Sequence, residues 1–274
     1  MFRQLVPFLA REILYSGHLQ SLGAAGVIFV SAQITNTAIS FRHLLSVYLV
    51  FQTVYYYDRY HGLNHDASTN VSRTRHLRLY ARFIPVISVV LLVIALVAAL
   101  DQPLAIGILV LITVFGCLYP LVFKRLTAYI PLFKNIYVST VFALLVLLPF
   151  VFTGTWLRQA TSVWPLLFFV FIQTMVMQSL LDLKDTHSDR QQSLRTLPII
   201  FGRKVTILLA LCVTIIAAVT LAGYAQLHQL PGLFILSFGS LLLDLFTFLA
   251  IALGLPFAYF VIATKYIVWP FFYV

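Results

Sequence analysis

Acids are scarce in this 274-residue chain, eight in all, and five of them crowd into two short segments. Asp58 and Asp66 belong to 58-DRYHGLNHDASTNVSRTRHLRLYAR-82, and Asp182, Asp185 and Asp189 belong to 182-DLKDTHSDRQQSLRTLPIIFGRK-204. On a helix the second set stands at i, i+3 and i+7, one face over about two turns. Such a row of like charges repels itself, and a divalent cation relieves the repulsion. Mg²⁺ suits the task because it shares carboxylate oxygens with substrate phosphates. Arg73, Lys184, Arg190 and Arg195 lie in the same segments and can hold the remaining phosphate oxygens, arginine bidentately. The mixture predicts a site for magnesium and a diphosphate. The plainer alternative is a solvated loop in which acids neutralise neighbouring bases, as with Asp189 beside Arg190.

The elements that must position these residues are membrane spans. The chain is 61% hydrophobic and 9% charged with a mean hydropathy of +0.98, whereas soluble domains carry about 25% charged residues. Runs such as 86-VISVVLLVIALVAAL-100 and 141-VFALLVLLPFVF-152 suit a hydrocarbon core that takes about 20 apolar residues per crossing. Apolar windows predict an all-α, polytopic membrane protein with spans near 17–35, 41–57, 83–100, 104–122, 132–151, 163–181, 205–225 and 232–250. A ninth is predicted at 254–270, where the stretch around Gly254 and Pro256 leaves eight against nine spans open. Cys117 and Cys212 fall inside these windows and read as small apolar residues.

Fifteen of the eighteen Lys and Arg residues fall on the side of the N-terminus. That asymmetry predicts a cytoplasmic N-terminus and cytoplasmic acidic segments. It also accounts for the net charge of +10 without nucleic acid, since the bases sit in short loops between spans. The first 20 residues show no apolar run followed by a cleavage site, so no cleaved leader is expected. Asp58 and Asp182 begin their segments 124 residues and four spans apart, a spacing that suggests two related halves facing one central cavity.

The segment 182-DLKDTHSDRQQSLRTLPIIFG-202 resembles the second signature of the UbiA family of membrane prenyltransferases, approximately DxxDxxxDxxxGxRTLPxxxG. It matches at Asp182, Asp185, Asp189, Arg195, Thr196, Leu197, Pro198 and Gly202, with Ser193 in place of a glycine. The region 119-YPLVFKRLTAYIPLFKN-135 is similar to the family's middle segment. The first signature, NDxxDxxxD, diverges: Val54 stands at the asparagine, Tyr55 at the first aspartate and Gly62 at the last, while Asp58 is kept. Asp66 would take the last acidic role through a longer loop, and Asn70 and Arg73 would fit the asparagine and arginine that follow.

The resemblance implies one membrane-embedded domain over residues 1–274. It implies Mg²⁺-dependent transfer of a polyprenyl group from its diphosphate to a lipophilic acceptor, within membrane lipid. Asp58, Asp66, Asp182, Asp185 and Asp189 would hold the metal. Asn70, Arg73, Lys124, Arg190 and Arg195 would hold the diphosphate, with Lys124 equally readable as a topology anchor. Asp58, Asp185 and Tyr119 are the residues expected at the reacting centre. Tyr119 would polarise an oxygen of diphosphate or acceptor; its plainer reading is an interfacial aromatic. One of Tyr55, Tyr56 and Tyr57 should face the cavity. His61 and His65 lack a third ligand for a transition metal. Asn36 and Gln52 would bond between helices or meet an acceptor. Asp244, alone in the eighth span, needs a partner. Isoprenoid cyclisation without an external acceptor, or membrane transport with Asp244 in coupling, are the alternative readings.

Overall fold

The computed structural model describes residues 2–63, 67, 70–155, 160–255 and 257–273, without the side chains of residues 2–5 and 160. Asp66, His65 and Arg158 lie outside the described residues. The described residues are mostly helical, and none of them forms a strand. The helices are α1 (Phe2–Tyr15), α2 (His18–Ile34), α3 (Phe41–Gly62), α4 (Val71–Arg78), α5 (Ile84–Ala98) and α6 (Pro103–Leu126), followed by α7 (Phe133–Thr153), α8 (Ala160–Gln191), α9 (Leu197–Leu227), α10 (Pro231–Ala252) and α11 (Ala258–Val268).

Local sequence explains where several of these helices start. Pro85, Pro103, Pro198 and Pro231 occupy the first or second position of α5, α6, α9 and α10, where a missing N–H costs nothing and the fixed φ suits a helix. Between α1 and α2 the chain bends by 62°. Gly17 makes that bend at φ 94°, and a Cβ there would lie 2.5 Å from the Cβ of Tyr55, so both conformation and close approach demand glycine.

Among the described residues, six helices are long and apolar enough to cross a bilayer, or seven if α1 and α2 form one bent span. The nine sequence windows map onto α2, α3 and α5 through α11, and the ninth emerges as a separate short helix after a break at Gly254. Nine is therefore an approximate count: α3 is too polar and α11 too short for that test. Exposed aliphatic side chains along α5 and α9, among them Val86, Val93, Leu208 and Ile216, make an apolar exterior far larger than a soluble surface tolerates. The protein is an integral membrane protein.

The helices pack in a ring, α3 against α2, α5 and α6, then α7 on α8, α8 on α9, α9 on α10, and α11 back against α2. Small polar residues tie neighbours together where apolar contact alone gives little specificity in lipid. Ser31 donates to the Val146 carbonyl at 2.7 Å, and Ser237 to the Ala218 carbonyl at 2.6 Å. Gln52 serves the same end, donating to the Ser16 carbonyl at 2.9 Å and accepting from Ser21 at 3.0 Å. Asn36 makes the turn after α2 at φ 49°.

Candidate active site

At one end of the ring, α3, α4, α6, α7 and α8 converge on a polar chamber of about 190 Å³. Asp58 on α3 faces Asp182, Asp185 and Asp189 on α8 across it, so the two acidic segments share one space. The helix of α8 continues ten residues beyond its predicted apolar window, which presents the acid row in the register of a helical face. Asn70, Arg73, Tyr119 and Lys124 line the same chamber. Arg190 and Arg195 are exposed and lie outside its lining.

Arg195 contributes through its backbone instead. Its N–H donates to the Thr127 carbonyl at 3.0 Å and its carbonyl accepts from the Leu132 N–H at 3.0 Å. This strap fastens the turn between α8 and α9 to the turn between α6 and α7, bringing Asp182 and Lys134 together. Two left-handed positions bracket the strap. Ser193 adopts φ 54°, at the place where the signature carries glycine, and Gly202 adopts φ 77° where α9 kinks. Glycine meets such angles without a steric penalty, and serine does not.

Lys134 and Asn135 are the residues that sequence reasoning passed over. Lys134 Nζ stands 2.7 Å from Asp182 Oδ1 and 3.9 Å from Asp189 Oδ1, while Asn135 Nδ2 donates to Asp182 Oδ2 at 2.9 Å. Both oxygens of the buried Asp182 are thus engaged. Lys134 counted in the sequence as one more base of the positive side. The signal that could have singled it out was its position one residue inside an apolar span, where a lysine needs an acid.

The acids suit a shared cation better than a closed metal cage. Among the described residues, no three histidines, cysteines or acids are gathered closely enough to form a site by themselves. Asp189 is 3% exposed and its Oδ2 has no hydrogen-bond partner, an acceptor that burial makes costly unless a cation or donor meets it. Mg²⁺ commonly uses one or two carboxylates and takes its other oxygens from phosphate and water. Asp189, Asp185 and Asp58 border one chamber, where such a cation could be shared between them.

A second cavity, of about 510 Å³, opens from the chamber into the apolar interior between α3, α6 and α7. Its walls include Phe51, Val54, Ile108, Phe142 and Leu148. Tyr55, Asp58, Tyr119 and Val138 line both cavities. The acid and two tyrosines therefore stand where a charged headgroup would join an apolar tail. Tyr55 is the member of the tyrosine triplet at this junction, while Tyr56 turns to Glu12.

Asp244 has its partner as well. Lys265 Nζ donates to Asp244 Oδ1 at 2.6 Å and Oδ2 at 2.8 Å, and to the Gln173 side-chain oxygen. The pair joins α10, α11 and α8 and lines neither of the two cavities.

Fold and chamber together define a helical membrane protein whose polar mouth leads to an apolar pocket. The sequence profile of the UbiA prenyltransferase family matches residues 21–274, and the chain belongs to that family. It is a membrane prenyltransferase of the UbiA type. No curated protein sequence matches the chain. Among solved structures, a UbiA homolog from Aeropyrum pernix K1 superposes with a TM-score of 0.74 at 14% identity, over 93% of this chain and 96% of that one. A UbiA homolog from Archaeoglobus fulgidus bound to DMAPP and Mg²⁺ gives 0.64 at 14% identity, over 95% and 96%. A digeranylgeranylglyceryl phosphate synthase gives 0.56 at 17%, over 97% and 95%.

Proposed function

We propose that this enzyme binds an isoprenoid diphosphate with its headgroup in the polar chamber and its chain in the apolar cavity, and transfers the prenyl group to a lipophilic acceptor. The observation that carries the reading is the shared lining: four residues border both cavities, so one amphipathic molecule can span them. The Archaeoglobus homolog bound to DMAPP and Mg²⁺, and a second structure of it bound to GPP and Mg²⁺, make an allylic diphosphate with magnesium the natural substrate class.

Charge argues for the metal independently. Four acids and four Lys or Arg residues line the chamber among the described residues, so it offers no net positive charge to a diphosphate. Bound Mg²⁺ would neutralise the leaving diphosphate as a Lewis acid. Asp58, Asp185 and Asp189 would hold it. Asp182 is committed to Lys134 and Asn135, and its part is to aim the ammonium into the chamber. Lys134, Lys124 and Arg73 bind phosphate oxygens, with Asn70 as a neutral donor. The C1–O bond of the prenyl diphosphate breaks with its electron pair passing to oxygen, and C1 bonds to the acceptor nucleophile, which loses a proton to solvent. Tyr119, at the junction, orients the bridging oxygen. The apolar walls exclude water from the allylic carbon.

The chamber and the N-terminus face the cytoplasm in this reading, which rests on the placement of fifteen of eighteen bases. The decisive assay supplies geranyl, farnesyl, geranylgeranyl and longer diphosphates to the purified protein with candidate aromatic and isoprenoid acceptors, and measures diphosphate release and lipid products. Mg²⁺-dependent release with a prenylated product supports the reading. Folded protein that releases no diphosphate from any of them refutes it.

A further inference from the structure

The family match begins at residue 21, yet the helix α1 that precedes it is fastened by one carboxylate to elements that line the chamber. Glu12, near the end of α1, accepts at Oε1 from Tyr56 Oη of α3 at 2.7 Å. Its Oε2 meets His76 Nε2 of α4 at 2.7 Å and accepts from Tyr80 Oη at 2.7 Å. His18 Nε2 of α2 lies 3.5 Å from Oε1, and its Nδ1 meets Tyr48 Oη at 2.6 Å. Ser16 bonds Tyr80 at 3.0 Å, and the Phe8 ring sits 5.0 Å from that of His76. Four side chains from three directions thus converge on a single acid.

The element they fasten is α4, eight residues long and far below the length at which a helix holds itself in water, about 12–15 residues. Its stability must come from what it packs on. His76 and Tyr80 anchor one side of this segment, and Arg73 and Asn70, at its start, line the diphosphate chamber. Arg73 and His76 are three residues apart, so a shift of His76 carries Arg73 with it.

We infer that α1 is a positioning element of the diphosphate site: Glu12, acting through His76 and Tyr80, holds α4 so that Arg73 and Asn70 present to the phosphate oxygens. Glu12 touches no substrate in this arrangement. The inference rests on the proposed function, because it needs a diphosphate in the chamber.

The test measures binding of inorganic diphosphate with Mg²⁺ by calorimetry in detergent for the wild type, Glu12→Ala, Arg73→Ala and the double variant, with amide hydrogen exchange over residues 71–80. Displacing a binding group by an ångström costs up to about a hundredfold, and Glu12→Ala is expected to weaken binding about tenfold with faster exchange across α4. Because Glu12 acts through Arg73 and Asn70, Glu12→Ala should cost less on top of Arg73→Ala than it costs alone. Additive losses would show that Glu12 stabilises the bundle without positioning Arg73, and unchanged binding in Glu12→Ala would remove the role of α1. If Glu12→Ala does not fold, Glu12→Gln, which keeps one acceptor, is expected to lose about threefold on the same grounds. Wild type that binds no diphosphate would sink the reading of the chamber, and this inference with it; wild-type binding that is indifferent to Glu12 sinks the inference alone.

Discussion

Two buried Asp–Lys pairs stand in different halves of the ring, and only one of them faces open space. Asp182 and Asp244 are 1% and 4% exposed, and each is within 2.7 Å of a lysine ammonium. Lys265 spends its donors on both oxygens of Asp244 and on Gln173, so that pair is closed upon itself. Lys134 gives one contact to Asp182, reaches toward Asp189 and borders the chamber. The same chemistry therefore serves two ends. A pair whose cation is fully surrounded ties helices together, and a pair whose cation retains an open side can bind an anion.

The largest expected effect comes from taking the charge out of the open pair. Lys134→Met should lower diphosphate release about a hundredfold, the scale on which removing one preorganised electrostatic donor acts, and it should cost less stability than breaking the closed pair, because Asp182 keeps the Asn135 donor and borders the chamber. Asp185→Asn should lower Mg²⁺-dependent release at least about tenfold and raise the Mg²⁺ concentration needed for half-maximal rate, since that residue is assigned to the metal. An unchanged rate in either variant would break the comparison.

Breaking the closed pair should do the reverse. Lys265→Met leaves Asp244 charged and alone, which costs about 3–5 kcal/mol of stability, and the surviving folded fraction should keep its wild-type turnover. Restoring Asp244→Leu beside it should recover most of the loss, because an apolar pair of similar volume is often as stable as a buried ion pair. Denaturation in detergent reads the first effect and diphosphate release the second. A turnover defect in folded Lys265→Met would bring Asp244 back as a functional acid.

The smallest effect tests the turn that carries the acid row. Ser193→Gly removes a side chain from a left-handed position and should stabilise the protein by about 1 kcal/mol, read as a higher thermal midpoint. No gain would mean that the Ser193 side chain offsets its own strain.

These residues also show what the sequence could and could not disclose. Asp182, Asp185 and Asp189 were legible because helical periodicity places them on one face, and apolar windows located the helices to within a few residues at most ends. Helix ends beyond the apolar windows were not legible, since α8 and α9 run on into polar sequence. Lys134 stayed hidden because its acid is 48 residues away, and Lys265 because its partner belongs to a neighbouring helix whose packing no local pattern encodes. Arg190 and Arg195 drew attention by proximity in sequence to the acids, yet Arg190 on α8 and Arg195 in the turn after it are exposed and lie outside the chamber's lining. Glu12 gave no signal beyond a charge near the N-terminus, since three of its four partners lie 44, 64 and 68 residues away.

The central claim is that one isoprenoid diphosphate occupies both cavities, and its most direct test follows the tail. A prenyl diphosphate with a photoreactive group at its terminal isoprene, bound with Mg²⁺ and irradiated, should label the apolar cavity at residues such as Ile108, Ile112, Val141 or Leu148, and unlabelled diphosphate should compete it away. Labelling confined to the separate apolar groove of α8 and α9, at residues such as Phe168 and Ile216, would contradict the account.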